Sequence, residues 1–344
     1  MQVRVTAKDR SFAYEAGQGE KVLYAGLRAG VSLPYECATG TCGTCKARLV
    51  SGEVEDLWPE APGKKSFKPG RNEFLMCQCT AKTDLEIEVA RAAPAFAPEE
   101  CPVGPRAGTI RSVRALTHDV TAIDVALELP CDFEAGQFMA VNAPGLRGAR
   151  GYSMVNFERG AQGLEFVIKK KPGGGFSEWL FSDRAPGSRI ELVGPLGKAT
   201  FTPGTEKNLL VIAGGSGIAG MMSILKRAAA ADHFSRFKGW VFFGVRTMKD
   251  AFYLRELSAL RSENLEITVV LSDEDVPAQA RADWPQLKFE RGFVHEAAKR
   301  AMAGKYDNVR AYLAGPPPAV DAAIRFLLVE AKLKPDAIRY DRFS

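Results

Sequence analysis

Four cysteines, Cys37, Cys42, Cys45 and Cys77, constrain this chain more than any other feature. The first three stand in the spacing Cys-x4-Cys-x2-Cys, and small residues fill the gaps, Ala38-Thr39-Gly40-Thr41 and Gly43-Thr44. A two-iron cluster needs two thiolates per iron, and the loop that supplies them must wrap closely around an inorganic core. Glycines let backbone amides approach the sulfurs, which favours the more negative, reduced state. Three cysteines so spaced, with a distant fourth, form the plant-type pattern for a 2Fe-2S cluster. A structural zinc site normally draws on two Cys-x2-Cys pairs, and only Cys42 and Cys45 make such a pair here. Cys79 competes with Cys77 for the fourth place. On one strand the two would point to the same face, so periodicity does not choose between them. Cys101 and Cys131 read as ordinary residues. The three histidines, His118, His233 and His295, are too scattered for a histidine-based metal site.

The rest of the chain divides into three regimes. Residues 1–91 hold most of the cysteines and begin with two alternating runs, Val3–Thr6 and Ser11–Tyr14, then a short helix over Val22–Arg28 closed by Gly30. Further strands at Ala47–Val50 and Leu85–Val89 predict a compact α+β domain. Residues 92–106 are rich in Ala and Pro and lack periodicity, as a linker would. Residues 107–204 are punctuated by Gly and Pro between alternating runs such as Thr121–Leu129 and Leu164–Ile168, the pattern of an antiparallel β-barrel. Residues 205–344 alternate apolar runs (Leu209–Ala213, Trp240–Phe243, Ile267–Leu271, Ala311–Leu313) with helical stretches, predicting an α/β domain with a parallel sheet. The expected fold is thus multidomain α+β.

Charge narrows the partners. Lys and Arg balance Asp and Glu within residues 1–90, so the whole net charge of +5 lies beyond them. A small basic excess there suits phosphate-bearing ligands, and no basic stripe points to nucleic acid. The N-terminal run lacks the apolar core of a signal peptide. The longest uncharged run, Asn208–Leu225, contains four glycines and falls short of the roughly 20 apolar residues that span a bilayer. A cytoplasmic protein without membrane segments is expected, and cysteines in a reducing compartment argue for redox chemistry over disulfides.

Two clusters point to phosphate and flavin. The apolar run Leu209–Ala213 leads into Gly214-Gly215-Ser216-Gly217-Ile218-Ala219-Gly220 and then a helical Met221–Ala231. A glycine turn between strand and helix aims free amides and the positive helix end at a phosphate. The usual dinucleotide fingerprint adds an acid at the end of the next strand. Here that strand ends Phe243-Gly244-Val245-Arg246, with no acid. The second cluster is Arg150-Gly151-Tyr152-Ser153, followed by Ile168 and Lys169 to Ser177. Arg150 can clamp a diphosphate, Tyr152 can stack on a flat ring, and the turn at Gly174, Gly175, Phe176 and Ser177 offers amides and a hydroxyl to a second phosphate.

These motifs come in the order of the ferredoxin–NADP reductase-like flavoproteins: Arg150-x-Tyr152-Ser153, Gly214 to Ala219, Phe243 to Arg246, then Ala314-Gly315-Pro316-Pro317-Pro318. With the N-terminal cysteine loop, the whole chain resembles the reductase components of bacterial multicomponent aromatic-ring oxygenases, of the carbazole dioxygenase and toluene or xylene monooxygenase type. Pro34-Tyr35-Glu36-Cys37, Leu57-Trp58-Pro59, Leu75-Met76-Cys77-Gln78-Cys79, Phe176 to Phe181 and the C-terminal Tyr340-Asp341-Arg342-Phe343 support the likeness. The resemblance implies an N-terminal β-grasp ferredoxin domain, a flavin barrel and a nucleotide domain, with FAD, a 2Fe-2S cluster and NADH as cofactors. It makes Cys77 the fourth ligand. It assigns Arg150, Gly151, Tyr152, Ser153, Ile168, Lys169, Gly174, Gly175, Phe176 and Ser177 to FAD, with Ser153 near the reacting edge of the flavin. Gly215, Ser216, Gly217, Gly244, Arg246, Gly315 and Pro316 fall to the nicotinamide nucleotide, and Phe343 to covering the flavin face. Two positions depart from the family pattern. Ala314 replaces a usual Cys near the hydride path, and Gly220 replaces a usual Pro, which would loosen the first helical turn.

A hydride carries two electrons and the cluster accepts one, so a flavin must stand between them. The implied route is NADH to FAD to cluster, then to a Rieske-type ferredoxin or a terminal oxygenase, from a monomer. A reductase serving another metalloenzyme and a non-enzymatic redox sensor are the alternatives.

Overall fold

The computed structural model describes residues 1–8, 10–94, 103–146, 148–182 and 185–342. Its N-terminal sheet has the strand order Arg10–Glu15, Gln2–Ala7, Leu85–Glu88, Lys46–Ser51, Glu73–Leu75. The first hairpin is antiparallel, and Leu85–Glu88 runs parallel to Gln2–Ala7. Alternation sets the faces: Val3, Val5 and Ala7 are buried while Arg4 is exposed. The helix Val22–Arg28 seals that apolar face with Leu23 and Leu27. A mixed sheet closed over one helix is the expected β-grasp arrangement.

The middle sheet is antiparallel, with strand order Arg150–Ser153, Phe138–Asn142, Arg189–Leu196, Gly104–Ala115, Val120–Cys131, Ala161–Lys169. A bridge between Met154 and Phe166, with the Val155 amide donating to the Glu165 carbonyl at 2.9 Å, joins its two ends into a barrel. Ile110, Phe133, Phe166 and Leu192 fill the inside. The strand Gly104–Ala115 begins ahead of residue 107, because Gly104–Arg106 pair with Leu192–Gly194. The last residues expected in the linker therefore belong to the barrel.

The C-terminal sheet is parallel throughout, in the order Lys288–Arg291, Leu265–Leu271, Gly239–Val245, Asn208–Gly214, Val309–Gly315, Ile338–Arg342. Its strands read as unbroken apolar runs because both faces are covered. Leu209 and Val211 enter one core while Leu210 and Ile212 enter the other. The chain moves outward from Asn208–Gly214 in one direction, then returns to place Val309–Gly315 on the other side. That reversal opens a crevice at the carboxyl ends of these two strands, the usual binding place in such sheets.

Side chains lock the three parts together. Phe138, Ala140, Ala149 and Leu196 of the barrel join the N-terminal core. The Gly197 amide donates to the Tyr35 hydroxyl at 3.1 Å, and the Arg150 guanidinium lies 5.6 Å from the Trp58 ring centre. On the other side, the Gly136 amide donates to Ser223 Oγ at 2.8 Å and Tyr253 donates to Glu165 at 2.9 Å. Asp341 is buried near Gly197, and its Oδ2 has no hydrogen-bond partner among the described residues. Burial pushes its carboxyl up to about 7, so the junction favours the neutral acid. Among the described residues no helix is long and apolar enough to cross a membrane.

Candidate functional site

The cysteine loop, residues 37–45, curls through left-handed backbone at Ala38, Gly40 and Gly43. The buried Tyr24 hydroxyl donates to the Ala38 carbonyl at 2.8 Å and fixes the start of the curl. The curl aims amides at sulfur. Thr39 and Cys42 donate to Cys37 Sγ at 3.4 Å each, and Thr44 donates to Cys42 Sγ at 3.4 Å. Hydrogen bonds from the Cys42 thiol, then from Thr41 and these amides, hold the Cys37 thiol well below its ordinary range, against the burial that opposes them. Cys45 Sγ and Cys77 Sγ stand 3.1 Å apart. Two sulfur pairs, Cys37 with Cys42 and Cys45 with Cys77, could supply two thiolates for each of two irons, so the donor set fits a 2Fe-2S cluster.

Cys77 does not lie on a strand. It sits in the turn between Glu73–Leu75 and Cys79–Ala81. The chain reverses there, so the same-face argument does not apply, and only Cys77 reaches Cys45. Cys79 opposes Asp56 in a two-stranded ladder, and burial pushes its thiol up to about 12. Sequence reasoning passed over Lys21, whose ammonium stands 5.6 Å from the Tyr24 ring centre near these thiols. Cys101 lies outside the described residues.

A cavity of about 720 Å³ opens at the sheet crevice and is walled by all three parts of the molecule. Cys37, Thr39 and Thr41 form one wall, so the cysteine loop borders the same space as the other candidate residues. The barrel contributes Arg150, Gly151, Tyr152, Ser153 and Lys169, with Gly174, Phe176 and Ser177 from the following turn. The parallel sheet contributes Gly215, Ser216, Gly217, Gly244, Arg246, Ala314, Gly315 and Pro316. Residues more than 250 apart in sequence thus meet around one volume. A cavity of this volume, lined by the turn at Gly174–Ser177 and the glycine turn at Gly215–Gly217, suits a ligand that carries phosphates.

Some expected residues are placed differently. Ile168 is buried in the barrel core, because alternation sends Val167 and Lys169 to the cavity instead. Gly175 starts the short helix Gly175–Leu180 and does not line the cavity. The Ser177 hydroxyl accepts from the Lys171 amide at 3.0 Å, so it closes the turn that presents the amides. Tyr152 leans on Phe176 with ring centres 5.3 Å apart, and Phe176 on Trp179 at 5.8 Å, a row that stiffens the aromatic wall. Lys169 pairs with Asp119 at 2.9 Å. Phe343 lies outside the described residues.

Gly220 gains a physical reason. It lies in the first turn of the helix Ile218–Ala230. A Cβ there would stand 3.0 Å from Ser153 Cβ. Glycine lets the helix approach the barrel at Ser153.

An acid does stand beside Arg246, from the end of a different strand. Asp273 follows Leu265–Leu271, and its carboxylate accepts from Arg246 Nε at 2.9 Å and from the Ser272 hydroxyl at 2.6 Å. Ser272 and Arg246 together hold that carboxylate below its usual range.

Family models match in the same order. A 2Fe-2S iron-sulfur cluster binding domain covers residues 5–82, an oxidoreductase FAD-binding domain 107–201 and an oxidoreductase NAD-binding domain 211–325. The chain is 37% identical to the ferredoxin--NAD(P)(+) reductase CarAd of Metapseudomonas resinovorans, over 95% of each. It is 36% identical to the ferredoxin--NAD(+) reductase component of the alkene monooxygenase system of Xanthobacter autotrophicus, over 97% of this chain and 98% of that one. The solved ferredoxin reductase in carbazole 1,9a-dioxygenase superposes with a TM-score of 0.82 at 33% identity, covering 100% of this chain and 99% of that one.

Proposed function

The chain belongs to the iron–sulfur flavoprotein reductases of multicomponent oxygenase systems, and from that membership we propose that it feeds electrons to an oxygenase acting on aromatic rings, through a Rieske-type ferredoxin or directly. It is an oxidoreductase whose electrons pass from NADH through FAD to the 2Fe-2S cluster. Bound FAD supplies the step between paired and single electrons, and the cluster supplies a one-electron outlet. The observation that carries the reading is the shared cavity: a cluster-ligand cysteine, the flavin residues and the nucleotide turn wall the same space.

The residues divide the work. Arg150 would clamp the FAD diphosphate, and its guanidinium also lies over the Trp58 ring, which would tie flavin binding to the position of the cluster domain. The Tyr152–Phe176 wall holds the ring system and excludes water from the reacting edge. Ser153 sits against the helix at Gly220, where barrel and nucleotide domain meet, and would help hold the flavin facing the nicotinamide. Ala314 and Gly315, which line the cavity beside the glycine turn, would receive the nicotinamide. A cytoplasmic monomer completes the reading.

The test is anaerobic. NADH added to the purified protein should bleach the flavin and then produce the EPR signal of a reduced cluster. Reconstitution with a Rieske ferredoxin, a Rieske oxygenase and a diiron hydroxylase should show one of them reduced. Flavin bleaching with no reduced cluster, or reduction of none of these acceptors, overturns the proposal.

Asp273 supports NADH over NADPH. Arg246 lines the cavity, and a carboxylate already pairs with it. A 2′-phosphate placed there would meet that carboxylate and compete for the guanidinium. Asp273→Ser should raise kcat/KM for NADPH about tenfold relative to NADH, a change of roughly 1.4 kcal/mol in discrimination. Steady-state kinetics with both nucleotides checks it, and an unchanged ratio refutes it.

A further inference from the structure

We propose that Gln78 is a tuning residue of the iron–sulfur centre, its side-chain amide donating a hydrogen bond to the sulfur of Cys77 and drawing electrons onto the cluster. The inference rests on the assignment of Cys77 as a cluster ligand.

Gln78 is 1% exposed. Glutamine is usually a surface residue, and a buried amide without partners costs free energy. Its Nε2 lies 3.5 Å from Cys77 Sγ, within reach for a donor to sulfur. Neighbouring positions in sequence do not by themselves bring that about. The backbone is pinned on both sides, with the Gln78 amide donating to the Leu75 carbonyl and the Leu57 amide donating to the Gln78 carbonyl, each at 2.9 Å. The side chain is then folded back over the cysteine loop. Gly40 makes the room: a Cβ on it would stand 3.1 Å from Gln78 Nε2 and 3.0 Å from Gln78 Cγ. Gly40 also holds a φ of +91°, which other residues rarely adopt. The loop therefore leaves one Cβ-sized gap at Gly40, and the Gln78 amide fills it beside the sulfur.

The consequence is electrostatic. Thiolate sulfurs of a cluster grow more negative on reduction, and an N–H aimed at one stabilises the reduced state more than the oxidised one. The backbone donors to Cys37 and Cys42 perform the same office but cannot be removed by substitution. Gln78 is a donor that a single change can remove. Its role in the electron route is to lower the free energy of an electron on the cluster relative to the flavin.

Two variants of the full chain, with flavin and cluster loaded, test this. Gln78→Met keeps the length and fills the gap at Gly40 without a donor. Gln78→Leu keeps an apolar side chain in that space and removes every polar atom. EPR-monitored redox titration should show both cluster midpoints more negative than wild type. The expected shift moves the flavin–cluster electron distribution about tenfold toward flavin, which for one electron is about 59 mV. Fully loaded variants whose midpoints match wild type overturn the proposal. Failure of both variants to hold a cluster also overturns it, since Gln78 would then be a brace for the loop. If wild type itself shows no reducible cluster, the assignment of the cluster fails; if only the variants' midpoints fail to move, the inference about Gln78 fails alone.

Discussion

Replacing Cys77 by serine is expected to strip the cluster from the full-length protein, while Cys79→Ser keeps it. A serine hydroxyl is a far weaker acid than a thiol and does not stand in readily as a soft ligand for iron. Cys77 is fully buried in a turn, 3.1 Å from Cys45 across the space where the second iron would sit. With only Cys45 left on that side, one iron would lack half its protein ligands. Visible absorbance and the EPR signal of the reduced protein should fall to near background in Cys77→Ser. NADH should still bleach the flavin, because the residues assigned to FAD and nucleotide come from other domains. Electron delivery to the acceptor should drop at least a hundredfold, equivalent to roughly 2.7 kcal/mol at the transition state. Cys79 is equally buried, but it opposes Asp56 on a strand and its thiol is pushed up to about 12, the state of an inert core residue. A Cys77→Ser protein that keeps its spectrum, or a Cys79→Ser protein that loses it, refutes the ligand assignment.

The contrast between these cysteines marks what the sequence makes legible. Cys37, Cys42 and Cys45 lie on one continuous loop, so spacing alone carries their chemistry. The strands of the parallel sheet were equally plain, since burial on both faces leaves uninterrupted apolar runs such as Leu209–Ala213. Cys77 and Cys79 were indistinguishable because periodicity presumes a regular strand, and a turn separates them. Asp273 was hidden for a different reason. The fingerprint looks for an acid on the strand after the glycine turn, and that strand ends at Val245, with Arg246 the next residue. The acid arrives from the next strand over, brought to Arg246 by lateral pairing of Gly239–Val245 with Leu265–Leu271. Ile168 was drawn into the site by its neighbours in sequence, and the two-residue alternation of the barrel strand moves it to the opposite face. The contacts of Trp58 with Arg150 and of Tyr35 with Gly197 were out of reach, since neither member of a pair carries any local sign of the other. Local chemistry was readable, and chemistry assembled between elements was not.

Gly217→Ala is expected to abolish productive NADH binding while leaving flavin and cluster in place. Glycine is not needed there for its backbone freedom, because Gly217 has φ −61° and ψ −19°, an ordinary helical conformation that alanine adopts readily. The need is for space. A Cβ on Gly217 would stand 2.6 Å from the carbonyl carbon of Ala314, 2.6 Å from the amide nitrogen of Gly315 and 2.7 Å from the Ala314 oxygen. All three are backbone atoms at the end of a central strand, so no side chain can rotate away. Either the strand end shifts or the helix Ile218–Ala230 lifts from the sheet. Both change the width of the crevice between the glycine turn and Gly315, where the amides that receive a pyrophosphate are set. A displacement on the order of 1 Å at such a site costs about a hundredfold in rate. The kcat/KM for NADH should therefore fall a hundredfold or more, whereas dithionite, which needs no nucleotide site, should reduce flavin and cluster to the wild-type extent. Flavin content and the cluster EPR signal report that the rest of the molecule is intact. A variant with normal NADH kinetics would show that the crevice tolerates a side chain at Gly217 and would refute the prediction.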